Sequence, residues 1–390
     1  MWVSNRTVQS AVRSSCFSIA KWPGGEYGTY AVAEHTGHPT ITAYTHGVWL
    51  WFMRNGTSRL LAGNGGGISG DGAPATSAGF GSILSIAVDP WYNIYVATSI
   101  RLRRISGATR LVSTIAGNSE NWQYADRADG SLLAGGQISN FYGMVSDAAG
   151  NIVFADHTFQ KIRLLYALNN TYWHLAGGGS LTPARRSNVI GVSVTLNSPV
   201  GVAMGRDGTV YFSHGDIVSK LVRASPSARA TATPTASSGS TPSATSSATL
   251  RASDYTAFNS RAYIWTVAGN GSSAVRGGDG GMATSAALAG PQALLLDEAN
   301  RRLYVSQAGG LVRVVDLRTS RISTLLGNGS AMMSVRGSMD PRGLCWLAAG
   351  TVLAVVERAG HRLTGAPADG AAAFNIMGTG CVCGAARGGV

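Results

Sequence analysis

Ile86-Ala-Val-Asp-Pro-Trp-Tyr-Asn-Ile-Tyr-Val-Ala97 aligns without gaps on Val202-Ala-Met-Gly-Arg-Asp-Gly-Thr-Val-Tyr-Phe-Ser213. Each reads as strand, turn, strand. β-branched and aromatic residues flank an Asp/Gly/Asn turn, which is the sequence signature of a hairpin. Val145 to Ala155 follows the same track, as do Leu295 to Ser306, Leu344 to Val355 and residues 18–33. A third strand is expected after each hairpin, as in Leu102-Arg-Arg-Ile105, Lys161-Ile-Arg-Leu164, Lys220-Leu-Val-Arg223 and Leu311-Val-Arg-Val-Val315.

The fourth strand is an apolar segment that ends on a glycine. Leu60-Leu-Ala-Gly-Asn64, Thr114-Ile-Ala-Gly-Asn118, Leu175-Ala-Gly-Gly178, Thr266-Val-Ala-Gly-Asn270, Leu325-Leu-Gly-Asn328 and the weaker Asn375-Ile-Met-Gly378 repeat it. Gly63, Gly117, Gly177, Gly269, Gly327 and Gly378 lie 54, 60, 92, 58 and 51 residues apart. The long interval contains a Ser/Thr/Ala/Pro low-complexity stretch, residues 224–260. Without it that interval falls to 55 residues. Gly70-Asp-Gly-Ala-Pro-Ala-Thr-Ser-Ala78 and Gly278-Asp-Gly-Gly-Met-Ala-Thr-Ser-Ala286 share seven of nine residues and mark an internal duplication.

Six units of four short strands predict an all-β chain, a six-bladed β-propeller of four-stranded antiparallel blades. The expected organisation is an N-terminal segment 1–16 carrying a possible closing strand, a propeller over 17–380 with the insertion 224–260, and a tail at 381–390. The insertion is placed between the third and fourth strands of the fourth unit. A single ring predicts a monomer.

Composition agrees. Glycine supplies 52 of 390 residues, which argues against a mainly helical chain, since an interior helical Gly costs about 0.5–1 kcal/mol relative to Ala. The formal net charge is +12, yet only Lys21, Lys161 and Lys220 among the 31 basic residues are lysine, and the arginines form no runs. That balance is read as composition bias, which disfavours a nucleic-acid partner. Cys16, Cys345, Cys381 and Cys383 are too few for a disulfide scaffold, and Cys381-Val382-Cys383 lacks a second ligand pair for zinc. The N-terminus shows no apolar signal region, and the longest apolar run, Val48 to Met53, is far short of a membrane span. Asn5, Asn55, Asn169, Asn270 and Asn328 head Asn-X-Ser/Thr sequons, which are compatible with secretion. The compartment is left open.

The pattern A-G-N-G, G-D-G, then P-x-G-V-A and D-G-x-x-Y resembles NHL-repeat propellers. Residues 62–105 and 268–315 are the nearest copies, with Pro199-Val-Gly-Val-Ala203 supplying the proline-glycine piece. Ala155-Asp156 keeps the family's Ala-Asp pair, and Ala33-Glu34 approximates it. The resemblance implies a propeller. For function it implies either a macromolecular, mainly protein, interaction module or a lyase-like enzyme with metal-binding histidines.

The residues favour the non-catalytic reading. First-strand positions Ile86, Val88, Val145, Val202, Met204, Leu294, Leu296, Leu344 and Trp346 are aliphatic or aromatic, where a metal channel needs Asp, Glu, Asn or His. No cofactor is expected. His35 and His157 occupy equivalent positions after a second strand, and His214 lies one position earlier; they are the ligand set of the metal-dependent, lyase- or hydrolase-like alternative. Asp71 and Asp279 are read as Asx-turn residues. Trp22, Trp91 and Tyr92 in hairpin turns, with Arg101 and Arg103, are the candidate binding residues, because exposed aromatics with nearby arginine make binding hot spots. Trp49, Trp51, Trp173 and Trp265 are expected to pack between blades.

Overall fold

The computed structural model describes residues 6–7, 14–21, 29–36, 45–52, 57–64, 67–117, 126, 128–131, 140–181, 188–223, 262–274, 277–308, 310–327, 341–347, 352–357, 362–367 and 374–378. The strands form six sheets, every pairing antiparallel. Sheet 1 holds Ser14–Lys21, Thr29–Thr36, Thr45–Phe52 and Thr57–Ala62. Sheet 2 holds Ile83–Val88, Ile94–Thr98, Leu102–Ile105 and Val112–Ala116. Sheet 3 holds Phe141–Ser146, Ile152–Asp156, Lys161–Tyr166 and Thr171–Gly177. Sheet 4 holds Val202–Met204, Val210–His214, Ile217–Arg223 and Ala262–Ala268. Sheet 5 holds Pro291–Asp297, Arg302–Gln307, Leu311–Asp316 and Arg321–Leu326. Sheet 6 holds Pro341–Leu347, Val352–Glu357, Arg362–Pro367 and Phe374–Gly378.

Each sheet is an up-and-down meander in sequence order. The first strand of each sheet touches that of the next, and Pro341–Leu347 returns to Ser14–Lys21, so the sheets close a ring and the chain is a β-propeller. The packing explains the sequence pattern. Ile94 and Val96 enter the core between sheets 1 and 2, while Tyr95 and Ala97 enter the core between sheets 2 and 3. Successive side chains on a strand point to opposite faces, and here both faces are covered. Ile94–Thr98 is therefore buried at every position and reads as a continuous apolar run.

Two sheets carry more strands than the expected four. Arg6–Thr7 pairs outside Thr57–Ala62 in sheet 1, and Val189–Ile190 pairs outside Ala262–Ala268 in sheet 4. The same device recurs with fewer bonds elsewhere. In sheet 2, Gly72 N–H donates to Val112 O and Val112 N–H to Ala73 O. Gly130 and Ser131 bracket Tyr172 in sheet 3, and Gly280 and Gly281 bracket Ile322 in sheet 5. In each case the segment leading into a sheet straps the outer edge of its fourth strand. An unpaired outer edge is a template for unwanted pairing, and the strap occupies it. The N-terminal Arg6–Thr7 thus straps its own sheet, while the ring closes by packing of sheet 6 on sheet 1.

The repeated glycines serve the join between units. Gly117 has φ 92° and Gly269 φ 96°. A Cβ on Gly117 would overlap the carbonyl oxygen of Ile100, and one on Gly269 that of Asp216. Each glycine therefore lies against the turn between the second and third strands of its own sheet. That places these turns and the inter-sheet connections at one end of the propeller, the loop end. The turns between first and second and between third and fourth strands lie at the other, the turn end, where Gly107 N–H donates to Asn93 Oδ1 (2.9 Å).

Residues 224–260 lie outside the described residues, as do Trp22 and the tail 381–390. The strands flanking the insertion, Ile217–Arg223 and Ala262–Ala268, are adjacent partners, with Arg223 opposite Ala262.

Candidate functional site

The chemistry-bearing side chains concentrate at the loop end, on the third strands. Arg103 is 0% exposed. Its Nη1 donates to Gly79 O (2.6 Å), its Nη2 to Ser69 O (2.9 Å) and to Asp71 Oδ1 (2.6 Å). The guanidinium lies 4.9 Å over the Phe80 ring. Arg313 repeats this with Ala287 O (3.4 Å), Gly277 O (3.2 Å) and Asp279 Oδ1 (2.5 Å). Asp71 and Asp279 are thus ion-pair partners that pin the Gly-Asp-Gly loop to the sheet, rather than Asx-turn residues. Burial works against the Asp71 charge, but hydrogen bonds from Thr114 and Arg103 hold its carboxyl below the ordinary range. The register between third and fourth strands slips by one residue next to each arginine, which re-aims the side chain toward the loop.

Sheet 3 carries a doubled version. Arg163 Nε donates to Asp156 Oδ2 (2.7 Å) and Nη2 to Asp126 Oδ1 (2.6 Å), while Lys161 Nζ also bonds Asp126. The Arg163 guanidinium sits 4.9 Å over Tyr172. Burial raises the Asp156 carboxyl above its usual range despite the arginine. Nearby, His174 Nδ1 and backbone N–H both meet Asp129 Oδ1 at 2.8 Å, which ties the strap of this sheet to its outer strand. Sheet 4 replaces the arginine. Ser219 stands at the register position of Arg103, Arg163 and Arg313, and His214 Nε2 meets Ser219 Oγ at 2.8 Å. His214 is buried, and burial alone pushes its pKa down to about 4.

His214 and His157 are each engaged within their own sheet. His214 is the last residue of its strand and is engaged by Ser219. His157 follows its strand and meets the Tyr142 ring edge-on, 5.1 Å between centroids. His35 lies within Thr29–Thr36, its side chain outside the described set. Among the described residues no group of three or more His, Cys, Asp or Glu is placed to hold a metal ion. Of the first-strand positions, Ile86, Val202, Leu294 and Leu344 are buried, and Val88, Val145, Met204 and Leu296 pack against the same cores. The side chain of Trp346 lies outside the described set.

The candidate binding residues separate. Arg103 is removed from any surface set by its burial. Trp91 (56% exposed) and Tyr92 (36%) lie at the turn end, whereas Arg101 lies at the loop end, across the strand Ile94–Thr98. Five strand residues span roughly 17 Å, so these residues do not form one patch. Trp91 is held rather than loose. Asp89 Oδ1 accepts its backbone N–H (2.9 Å) and that of Asn93 (2.8 Å), and the ring rests on Gly150 so closely that a Cβ there would overlap it. Asp147 builds the same turn through Ala149 and Asn151. Trp49 is buried and Trp173 packs on the core between sheets 3 and 4, but Trp265 is 38% exposed on an outer strand rather than between blades. The side chain of Trp51 lies outside the described set. The signal that sequence reading passed over was the arginine itself: one recurs in the third-strand segments of sheets 2, 3 and 5.

No protein-family model matches the chain, and no curated protein matches it by sequence. Among solved structures the chain is similar to an auxiliary nutrient binding protein from Bacteroides thetaiotaomicron, with 9% identity over 90% of this chain and 68% of that one, TM-score 0.52. It is also similar to XC5397 from Xanthomonas campestris, described as a gluconolactonase (13% identity, 91% and 86% covered, TM-score 0.49). A third is virginiamycin B lyase from Staphylococcus aureus (8% identity, 96% and 87% covered, TM-score 0.48). At these identities the likeness is one of fold. Among the described residues no helix is long and apolar enough to cross a membrane.

Proposed function

We propose that the chain is a six-bladed, NHL-like propeller that works as a non-catalytic interaction module, docking a protein at its turn end around Trp91 and Tyr92. The observation that carries this reading is the rigid exposure of Trp91. An aromatic ring already fixed by its turn and by Gly150 loses little rotamer freedom when a partner covers it, which is the property of a binding anchor. The loop-end charges support it from the other side. Arg103, Arg163, Arg313 and their aspartates are consumed in pinning loops, so they are not free to do acid–base work.

The test is affinity capture with the full chain and with Trp91→Ala. A protein recovered in stoichiometric amount by the wild type and lost on substitution supports the reading; a partner held equally by both removes Trp91 from it. The alternative, a metal-dependent lyase- or hydrolase-like propeller, rests on His35, His157 and His214. It predicts stoichiometric zinc or calcium in purified protein, lost when the three are changed to Ala.

A further inference from the structure

We infer that Asn169 is an N-linked glycan acceptor of the folded protein, and that the sequon at Asn270 is a structural asparagine instead. Both head an Asn-X-Ser/Thr triplet, Asn169-Asn170-Thr171 and Asn270-Gly271-Ser272. The side chains are used differently. Asn169 is exposed in the turn between the third and fourth strands of sheet 3. Its Oδ1 accepts the Thr171 hydroxyl (2.7 Å) and the Thr171 N–H (3.1 Å). The hydroxyl that the sequon requires is thus already on the amide oxygen, and among the described residues the Nδ2 donates no hydrogen bond. At Asn270 the Nδ2 donates to Ser285 O (3.1 Å) and holds the loop before sheet 5. Asn64 makes the same bond to Ser77 O (2.7 Å) in sheet 2 without any sequon, so this bond belongs to the repeat. A glycan on Asn270 would break it.

A second observation lies beside Asn169. Leu168 is 84% exposed, the most exposed large apolar side chain among the described residues. That exposure shows that the turn stands clear of the packed sheets and leaves room for a sugar on the next residue. The transfer joins Asn169 Nδ2 to the anomeric carbon of a lipid-pyrophosphate-linked oligosaccharide. The bond from that carbon to the pyrophosphate oxygen breaks, the nitrogen gives up one proton, and the lipid pyrophosphate leaves. Asn5, Asn55 and Asn328 lie outside the described residues.

The experiment places the full chain behind a cleavable signal peptide in a eukaryotic secretory host, with a second known acceptor sequon in a C-terminal tag. Peptide mapping after N-glycosidase treatment reads each asparagine by its conversion to aspartate. The expected result is occupancy at Asn169 in folded protein, lost in Asn169→Gln and in Thr171→Ala, both of which still fold. Asn270 is expected to be empty in the folded fraction, and occupied only in chains that fail to fold. An unmodified Asn169 in chains whose tag is glycosylated overturns the inference, as does folded protein carrying a glycan on Asn270.

Discussion

Arg103 and Asp71 meet at 2.6 Å across two segments of chain separated by 32 residues, the arginine without exposure and the aspartate half in water. The asymmetry sets what each substitution does. Removing the arginine leaves Ser69 O and Gly79 O without their buried donor and opens a cavity beside Phe80. Arg103→Ala is expected to lower stability by about 3–5 kcal/mol, from two carbonyls that lose their donor and the cavity left beside Phe80. Asp71→Asn keeps a polar acceptor and both carbonyls, so about 1–2 kcal/mol is expected. Urea unfolding of the two variants checks the order. An Asp71 variant as damaged as the arginine variant would refute it.

Two glycines with the same backbone twist should respond unequally to Ala. Gly117 (φ 92°) lies against Ile100 O, whereas Gly72 (φ 78°) has open space where a Cβ would go. Gly72→Ala should show only the left-handed backbone penalty, about 1–2 kcal/mol. Gly117→Ala must also push two turns apart and should lower stability by at least twice as much. Thermal melts of both, compared with wild type, measure the contrast.

Gly117 and its counterparts at the ends of the fourth strands made the architecture legible. A residue demanded by both a positive φ and a close backbone approach has no substitute, so the Ala-Gly-Asn period survives in the chain and counts the units. Strand patterning was legible for a related reason, since both faces of Ile94–Thr98 and Ile152–Asp156 are covered. The straps were not legible. Two hydrogen bonds from Gly72 and Ala73, or from Gly280 and Gly281, need no side-chain pattern, so Gly-rich sequence there reads as loop. The site was hidden by geometry. Trp91, Tyr92 and Arg101 are neighbours in sequence but a strand length apart in space. Arg101 and Arg103 look alike as letters; burial and the re-aimed register separate them.

His214 should give the protein a loss of stability in mild acid. Its folded pKa, about 4, lies below the ordinary 6.5, and burial is the cause. The neutral form is therefore favoured by folding. The contribution is present above pH 6.5 and is lost as pH falls from 6.5 toward 4, because the unfolded chain takes up the proton first. A shift of that size corresponds to about 3 kcal/mol. The carboxyls of Asp71, Asp126 and Asp129 are held below 3.8, so their contribution is lost only at lower pH. Stability measured at intervals from pH 7 to 4 should fall more steeply in the wild type than in His214→Gln. Parallel curves would mean that His214 titrates alike in the folded and unfolded chain, and would refute its burial as a source of acid sensitivity.

Residues 224–260 interrupt two strands that are already paired, Arg223 facing Ala262 at the turn end of sheet 4. The propeller strands therefore meet whether 37 residues or a short turn join them. A Ser/Thr/Ala/Pro segment offers little apolar surface to bury, so its removal is expected to cost no large stabilising contact. What it adds is closure entropy. That cost grows by about 0.6 kcal/mol per doubling of loop length, so replacing the segment by a four-residue Gly/Ser turn should stabilise the chain by up to about 2 kcal/mol. Circular dichroism should be unchanged and Tm the same or a few degrees higher. A Tm lowered by several degrees would show that the segment packs against the propeller, and its sequence would then have to be read as part of the fold.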